Sequence, residues 1–171
     1  MKIRPYIVSL VLIAILACAI DWGWLGDKGQ AADIPRAGQS GFAEVERVVD
    51  GDTVILSENL GYGRVVGVDT PETVQPGAPV ECFGPQASAY TKRVLAPGKK
   101  LRYRVAVEPV DRYGRSLVYL WLPDGRFFNA MLIRNGYATV LTIPPNTHYA
   151  SLFERLEEKA ARARRGLWGR C

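Results

Sequence analysis

Three short clusters place acids and arginines where apolar runs end: Asp50-Gly51-Asp52-Thr53, then Arg64 with Asp69-Thr70-Pro71-Glu72, then Asp111-Arg112-Tyr113-Gly114-Arg115. Asp52 and Asp69 each adjoin an apolar stretch, so folding can bring both to one mouth of a sheet. Two carboxylates at close range repel, and one resists ionising unless a cation lies between them. Oxygen donors suit Ca²⁺ or Mg²⁺, and the Thr70 carbonyl beside Asp69 is a further candidate ligand. Pro71 sets a rigid turn behind Asp69, and a carboxylate at Glu72 is then placed to order and deprotonate a water. Arg64 and Arg115 carry the forked guanidinium that matches phosphate oxygens in pairs. Cation, base and two guanidiniums together describe hydrolysis of a phosphodiester. Taken one at a time, these residues read equally well as turn-stabilising aspartates and surface charges. The spacing excludes an EF-hand, because the twelfth position counted from Asp50 is Gly61 rather than Glu.

The elements that must hold these clusters are short. Phe42–Val49, Thr53–Leu56, Arg64–Val68, Leu101–Val107 and Ser116–Leu122 read as strands, with Asp50-Gly51 and Pro123-Asp124-Gly125 as turns. Tyr137–Leu141 is a further extended stretch. Pro85 opens a helix that Pro97-Gly98 closes, Asn129 is positioned to cap a short helix ending at Gly136, and Phe153, Leu156, Ala160 and Ala163 recur at helical spacing before Gly166. The pattern predicts an α+β fold: a five-stranded OB-fold barrel with three helices packed beside it, although several small α+β folds share that count.

The chain has 171 residues and a formal net charge of +5, enough for one mildly basic domain plus a leader. Lys2 and Arg4 precede an apolar run from Ile7 to Ile20 broken only by Ser9, the pattern of an export signal. Residues 1–20 are therefore expected to be a signal peptide or an N-terminal membrane anchor, with membrane association through residues 6–20; lipidation at Cys18 is a third reading. Residues 21–40 read as a flexible spacer and 41–171 as the folded domain. Export predicts a secreted or periplasmic protein, either released or held to the membrane by its N-terminus. Outside the leader only Cys82 and Cys171 remain, either as one disulfide or as two free thiols.

Five motifs in order, Val49-Asp50-Gly51-Asp52-Thr53-Val54, Arg64 to Thr73, Gly84-Pro85-Gln86-Ala87-Ser88-Ala89, Asp111 to Arg115 and Asn146-Thr147-His148, closely resemble the staphylococcal (micrococcal) nuclease family. The similarity runs from about Gly41 to Trp168. It implies an OB-fold barrel with Ca²⁺-dependent activity on DNA and RNA, preferably single-stranded or frayed, leaving 3′-phosphate ends, and a monomer. By position, Asp52, Asp69 and Thr70 resemble the calcium ligands, Glu72 the residue acting on water, and Arg64 and Arg115 the transition-state arginines. Arg112 and Tyr113 match substrate-phosphate contacts, while Asp50 and Asp111 support these groups without touching the ion. The chain departs from the family at Val140 and Thr142, where tyrosines are frequent, and at Gly77 and Ala78, where lysines are. Stacking is worth about 1–3 kcal/mol per base, so nucleotide affinity is the property those changes bear on. The competing expectation is a catalytically impaired binding module on the same barrel; in such relatives the acids and arginines are commonly replaced, whereas all five are present here.

Overall fold

A computed structural model describes residues 34–73, 77 and 79–171 of the chain. The expected leader, most of the spacer and the change at Ala78 lie outside the described residues. Among those described, no helix is long and apolar enough to cross a membrane.

In chain order the elements are β1 (Ser40–Val48), β2 (Thr53–Leu56), β3 (Gly61–Val65), β4 (Gly67–Asp69), α1 (Gly84–Val94), β5 (Lys100–Val110), β6 (Ser116–Trp121), α2 (Phe128–Arg134), β7 (Thr139–Leu141), α3 (Ala150–Arg162) and α4 (Leu167–Arg170). Five strands close a barrel in the order β1-β2-β3-β6-β5, which is the expected OB-fold arrangement. All its pairings are antiparallel except β3 with β6. Alternation along β5 explains the closure. Leu101, Tyr103 and Val105 point inward to meet Val54, Val65, Val118 and Leu120, while Lys100, Arg102 and Arg104 face out. Each fully buried aliphatic side chain contributes about 1.5–3 kcal/mol. The barrel also starts slightly earlier than expected, since Gly38 N–H already donates to Val105 O and Val105 N–H to Gln39 O.

Two local readings are corrected. Arg64–Val68 is not one strand. Gly67 takes φ +80° and turns the chain out of the barrel, so that β4 pairs with β7 and Asp69 lies opposite Thr139. An added Cβ at Gly67 would sit 2.4 Å from Cε2 of Phe153, a fully buried residue of α3. Helix α3 therefore closes directly on the strand that carries Asp69. Gly67→Ala combines left-handed backbone strain with overpacking, and is expected to destabilise the fold by about 2–4 kcal/mol in urea unfolding; a loss below about 1 kcal/mol would show that Phe153 can swing clear. The second correction concerns Asn129, which does not cap α2. It is fully buried, with Oδ1 accepting from Leu120 N at 3.0 Å and Nδ2 donating to Val66 O at 2.8 Å. It satisfies backbone groups left open where the chain leaves β3 and passes β6. A one-turn helix, α4, follows α3 and carries the half-buried Trp168.

Candidate active site

Asp52 sits in the tight turn between β1 and β2, immediately before the first residue of β2. The turn is closed by the N–H groups of Val49 and Asp50 donating to Thr53 O, and α1 grips it through Thr91 Oγ1 donating to Gly51 O at 2.6 Å. Gly51 is required here. A Cβ at this position would fall 2.6 Å from Thr70 Oγ1, so only glycine lets the Thr70 turn approach. Thr70 uses that approach, donating its N–H at 2.8 Å and its hydroxyl at 3.0 Å to Asp52 Oδ2. Both residues are buried.

Arg64, near the end of β3, joins this turn to Asp69. Its Nη1 lies 3.1 Å from Asp52 Oδ2 and donates to the carbonyls of Val65 and Val68, while Nη2 donates to Asp69 Oδ1 at 2.8 Å. Arg64 thus bridges the two aspartates, one on each terminal nitrogen. Burial pushes the Asp69 carboxyl above its ordinary value; Arg64 pulls the other way, and Asp52 and Glu81 add to the rise. The Asp69 side chain is still 55% exposed, so an incoming ion can reach it. These all-oxygen donors suit a hard divalent cation. No three His, Cys, Asp or Glu side chains cluster around a metal position among the described residues, so water and substrate oxygens would have to complete the shell.

Glu72 follows Thr70 and Pro71 in the chain. Its Oε1 accepts from Thr73 N at 2.8 Å. Asp50 fixes the same turn: its Oδ1 accepts from Thr73 Oγ1 at 2.6 Å. Burial raises the Asp50 carboxyl above its ordinary value. Hydrogen bonds from Thr73 and the Gly51 backbone oppose the rise, and the adjacent Glu72 carboxyl adds to it. Asp50 is therefore the strut that ties the β1–β2 turn to the Glu72 turn.

The third cluster is the β5–β6 loop. Asp111 organises it: Oδ1 accepts from the N–H groups of Tyr113 and Arg115 at 2.9 Å, and Oδ2 accepts from Arg115 Nε at 2.7 Å. Burial alone would raise the Asp111 carboxyl, but these bonds outweigh it and hold the group below its usual value. Because Asp111 engages Arg115 through Nε and the backbone, the terminal nitrogens of Arg115 make no hydrogen bond among the described residues. Arg112 packs 4.7 Å from the Tyr113 ring centre and donates to its hydroxyl at 2.6 Å, and that ring is well exposed.

Arg64, Arg115, Arg112 and Tyr113 line one cleft of about 490 Å³. The structure thus brings Asp52, Asp69, Thr70 and Arg64 into direct contact and sets both arginines in a single cleft. Glu72 joins them through Asp50 and Thr73 and does not itself line the cleft. The opposite wall was missed in the sequence. Leu141 and Ile143, both exposed, line it, whereas Val140 packs on the core. Alternation along β7 was the signal available. Asn146 pins that wall to β5, with Oδ1 accepting from Glu108 N at 2.9 Å and Nδ2 donating to Glu108 O at 3.2 Å. Cys82 and Cys171 form a disulfide.

Residues 63–170 match the family model described as staphylococcal nuclease homologue. The thermonuclease of Staphylococcus intermedius is 41% identical over 128 residues, covering 74% of this chain and 75% of the relative. The thermonuclease of Staphylococcus hyicus is 35% identical over 164 residues, covering 93% and 94%. An endonuclease of Bacillus subtilis is 38% identical over 134 residues, 72% of this chain but 11% of that much longer protein.

Proposed function

The chain belongs to the staphylococcal nuclease family, and from that premise we propose that it is an exported, Ca²⁺-dependent nuclease that hydrolyses phosphodiester bonds of DNA and RNA and leaves 3′-phosphate ends. The observation that carries this reading is that one cation, the Arg64 guanidinium, bridges Asp52 and Asp69 beside a cleft that also presents Arg115. Asp52, Asp69 and the Thr70 carbonyl would hold the ion, whose chemistry is to polarise a phosphoryl oxygen and neutralise developing charge.

This chain's own residues supply the rest. With the ion taking over the two aspartates, Arg64 is released from them to join Arg115 in binding the scissile phosphate through their forked donors and balancing charge building on its equatorial oxygens. Asp111 keeps the Arg115 guanidinium aimed by holding Nε, which leaves the terminal nitrogens for the phosphate. Arg112 and Tyr113 grip the neighbouring phosphate at the cleft rim. Glu72 takes a proton from the attacking water, and Asp50 fixes its turn. Leu141 and Ile143 offer an apolar wall beside Val140 and Thr142, the positions where the family often has tyrosines, so a base meets aliphatic surface and stacking is weaker. Single-stranded or frayed ends suit this cleft because their bases are free to lie against that wall. The disulfide supports export, since such bonds persist in oxidising compartments.

Incubation of the purified chain with heat-denatured DNA tests the reading. Digestion is expected with Ca²⁺ and none once the ion is chelated, and the fragments should resist polymerase extension until a phosphatase frees their 3′ ends. Binding without cleavage across several divalent metals would instead mark a binding module. N-terminal sequencing of the exported product locates any leader cleavage.

A further inference from the structure

Glu81 was not singled out by its sequence context, yet it holds the turn on which the proposed base stands. Its Oε2 accepts from Glu72 N at 2.9 Å, and its own N–H donates to Glu72 O at 3.0 Å. This reciprocal pair clasps positions 72 and 81 together. The next residue, Cys82, is bonded to Cys171. Cys171 N–H is tied to Leu167 O, and Leu167 N–H to Gly136 O just beyond α2. A path of one covalent bond and a few hydrogen bonds therefore runs from the domain body to the backbone of Glu72. A cavity of about 280 Å³ opens along this path, lined by Asp69, Thr70, Glu81 and both cysteines.

Resting on the nuclease reading above, we propose that Glu81 and the Cys82–Cys171 disulfide form a positioning clamp for Glu72, so that full turnover requires both. Glu81 fixes the Glu72 backbone from one side, while Asp50 fixes Thr73 from the other. A carboxylate accepting a backbone N–H makes a charge-assisted bond, stronger than a neutral one. The disulfide keeps that carboxylate in place by tying its neighbour to the C-terminal helix. Misplacing a catalytic group by about 1 Å can reduce the rate about a hundredfold, so a clamp of this kind acts on kcat rather than on substrate binding.

The test compares Glu81→Ala, Glu81→Gln and the double variant Cys82→Ser/Cys171→Ser with the unaltered chain. It reads kcat and KM on denatured DNA with Ca²⁺, and separately the exchange rate of the Glu72 amide proton by NMR. Glu81→Ala and the double serine variant should lose about tenfold or more in kcat, with KM held within about twofold. Glu81→Gln retains an oxygen acceptor and should recover most of the rate. The Glu72 amide should exchange faster in Glu81→Ala. A kcat for Glu81→Ala within about twofold of the unaltered chain overturns the proposal, as does unchanged amide exchange, or an equal loss in Glu81→Gln. The exchange measurement needs no turnover. An unaltered chain that never cuts therefore retires the nuclease reading, while an unprotected Glu72 amide retires the clamp.

Discussion

Arg64→Ala should lower turnover on denatured DNA by about three to five orders of magnitude, the range seen when an arginine that balances phosphoryl charge is removed. The same substitution should make stability depend strongly on calcium. In the unaltered chain Arg64 lies 3.1 Å from the buried Asp52 and 2.8 Å from Asp69, and it also satisfies the carbonyls of Val65 and Val68. Without it, Asp52 keeps its hydrogen bonds from Thr70 but loses its only cation among the described residues. Leaving buried groups unsatisfied costs about 1–3 kcal/mol, with Asp69 adding less because solvent screens it. A divalent ion at the vacated place would restore the missing charge. Thermal unfolding with and without Ca²⁺ should therefore show a larger rise for Arg64→Ala than for the unaltered chain. An equal rise in both would mean that the ion does not bind where the two aspartates meet. Arg64→Lys is expected to resemble Arg64→Ala in rate, because one ammonium cannot span two carboxylates and two carbonyls.

The parts of this site written in the sequence are those that depend on neighbours along the chain. Asp50-Gly51-Asp52-Thr53 is a turn entering a strand, Pro71 enforces the turn before Glu72, and Asp111 organises a loop whose partners lie within four residues. Their chemistry could be read from type and spacing alone. What stayed hidden depends on contacts between distant segments. Gly67 sits in an apolar run that alternation reads as one strand, and only Phe153, supplied by a helix far along the chain, explains why the backbone must turn there. Asn129 stands where a cap is expected, but Val66 and Leu120 recruit it to a buried bridge. Two backbone groups in the core, Leu120 N–H and Val66 O, would be left without partners if Asn129 served as a cap, and burial without a partner costs more than an uncapped helix end. Leu141 and Ile143 carry no polar or aromatic signal of their own; β7 turns Val140 onto the core and Leu141 outward, and Ile143 follows beyond the strand.

Glu72→Gln is the sharper test of the chemistry, because it changes little else. Glutamine keeps an oxygen to accept from Thr73 N–H, and its backbone still meets Glu81, so the turn should persist. It cannot take a proton from water at neutral pH. Loss of a general base lowers rates by about a hundredfold to ten-thousandfold, and that loss should fall on kcat with KM little changed. Stability should move the other way. Burial and the Glu72 carboxyl both raise Asp50 above its ordinary value of 3.8, so the folded chain bears a penalty for keeping Asp50 ionised. That penalty is absent below the unfolded carboxylate value and complete once pH exceeds the raised folded one. Removing the Glu72 charge relieves part of it. Glu72→Gln should therefore be at least as stable as the unaltered chain at neutral pH, with any advantage shrinking as pH falls through the range where Asp50 protonates. Urea midpoints across that range, read beside the rates, separate a chemical loss from a structural one. A variant that both unfolds more easily at pH 7 and cuts more slowly would show Glu72 serving the fold rather than the water, while one that cuts at the native rate would move the base to another group.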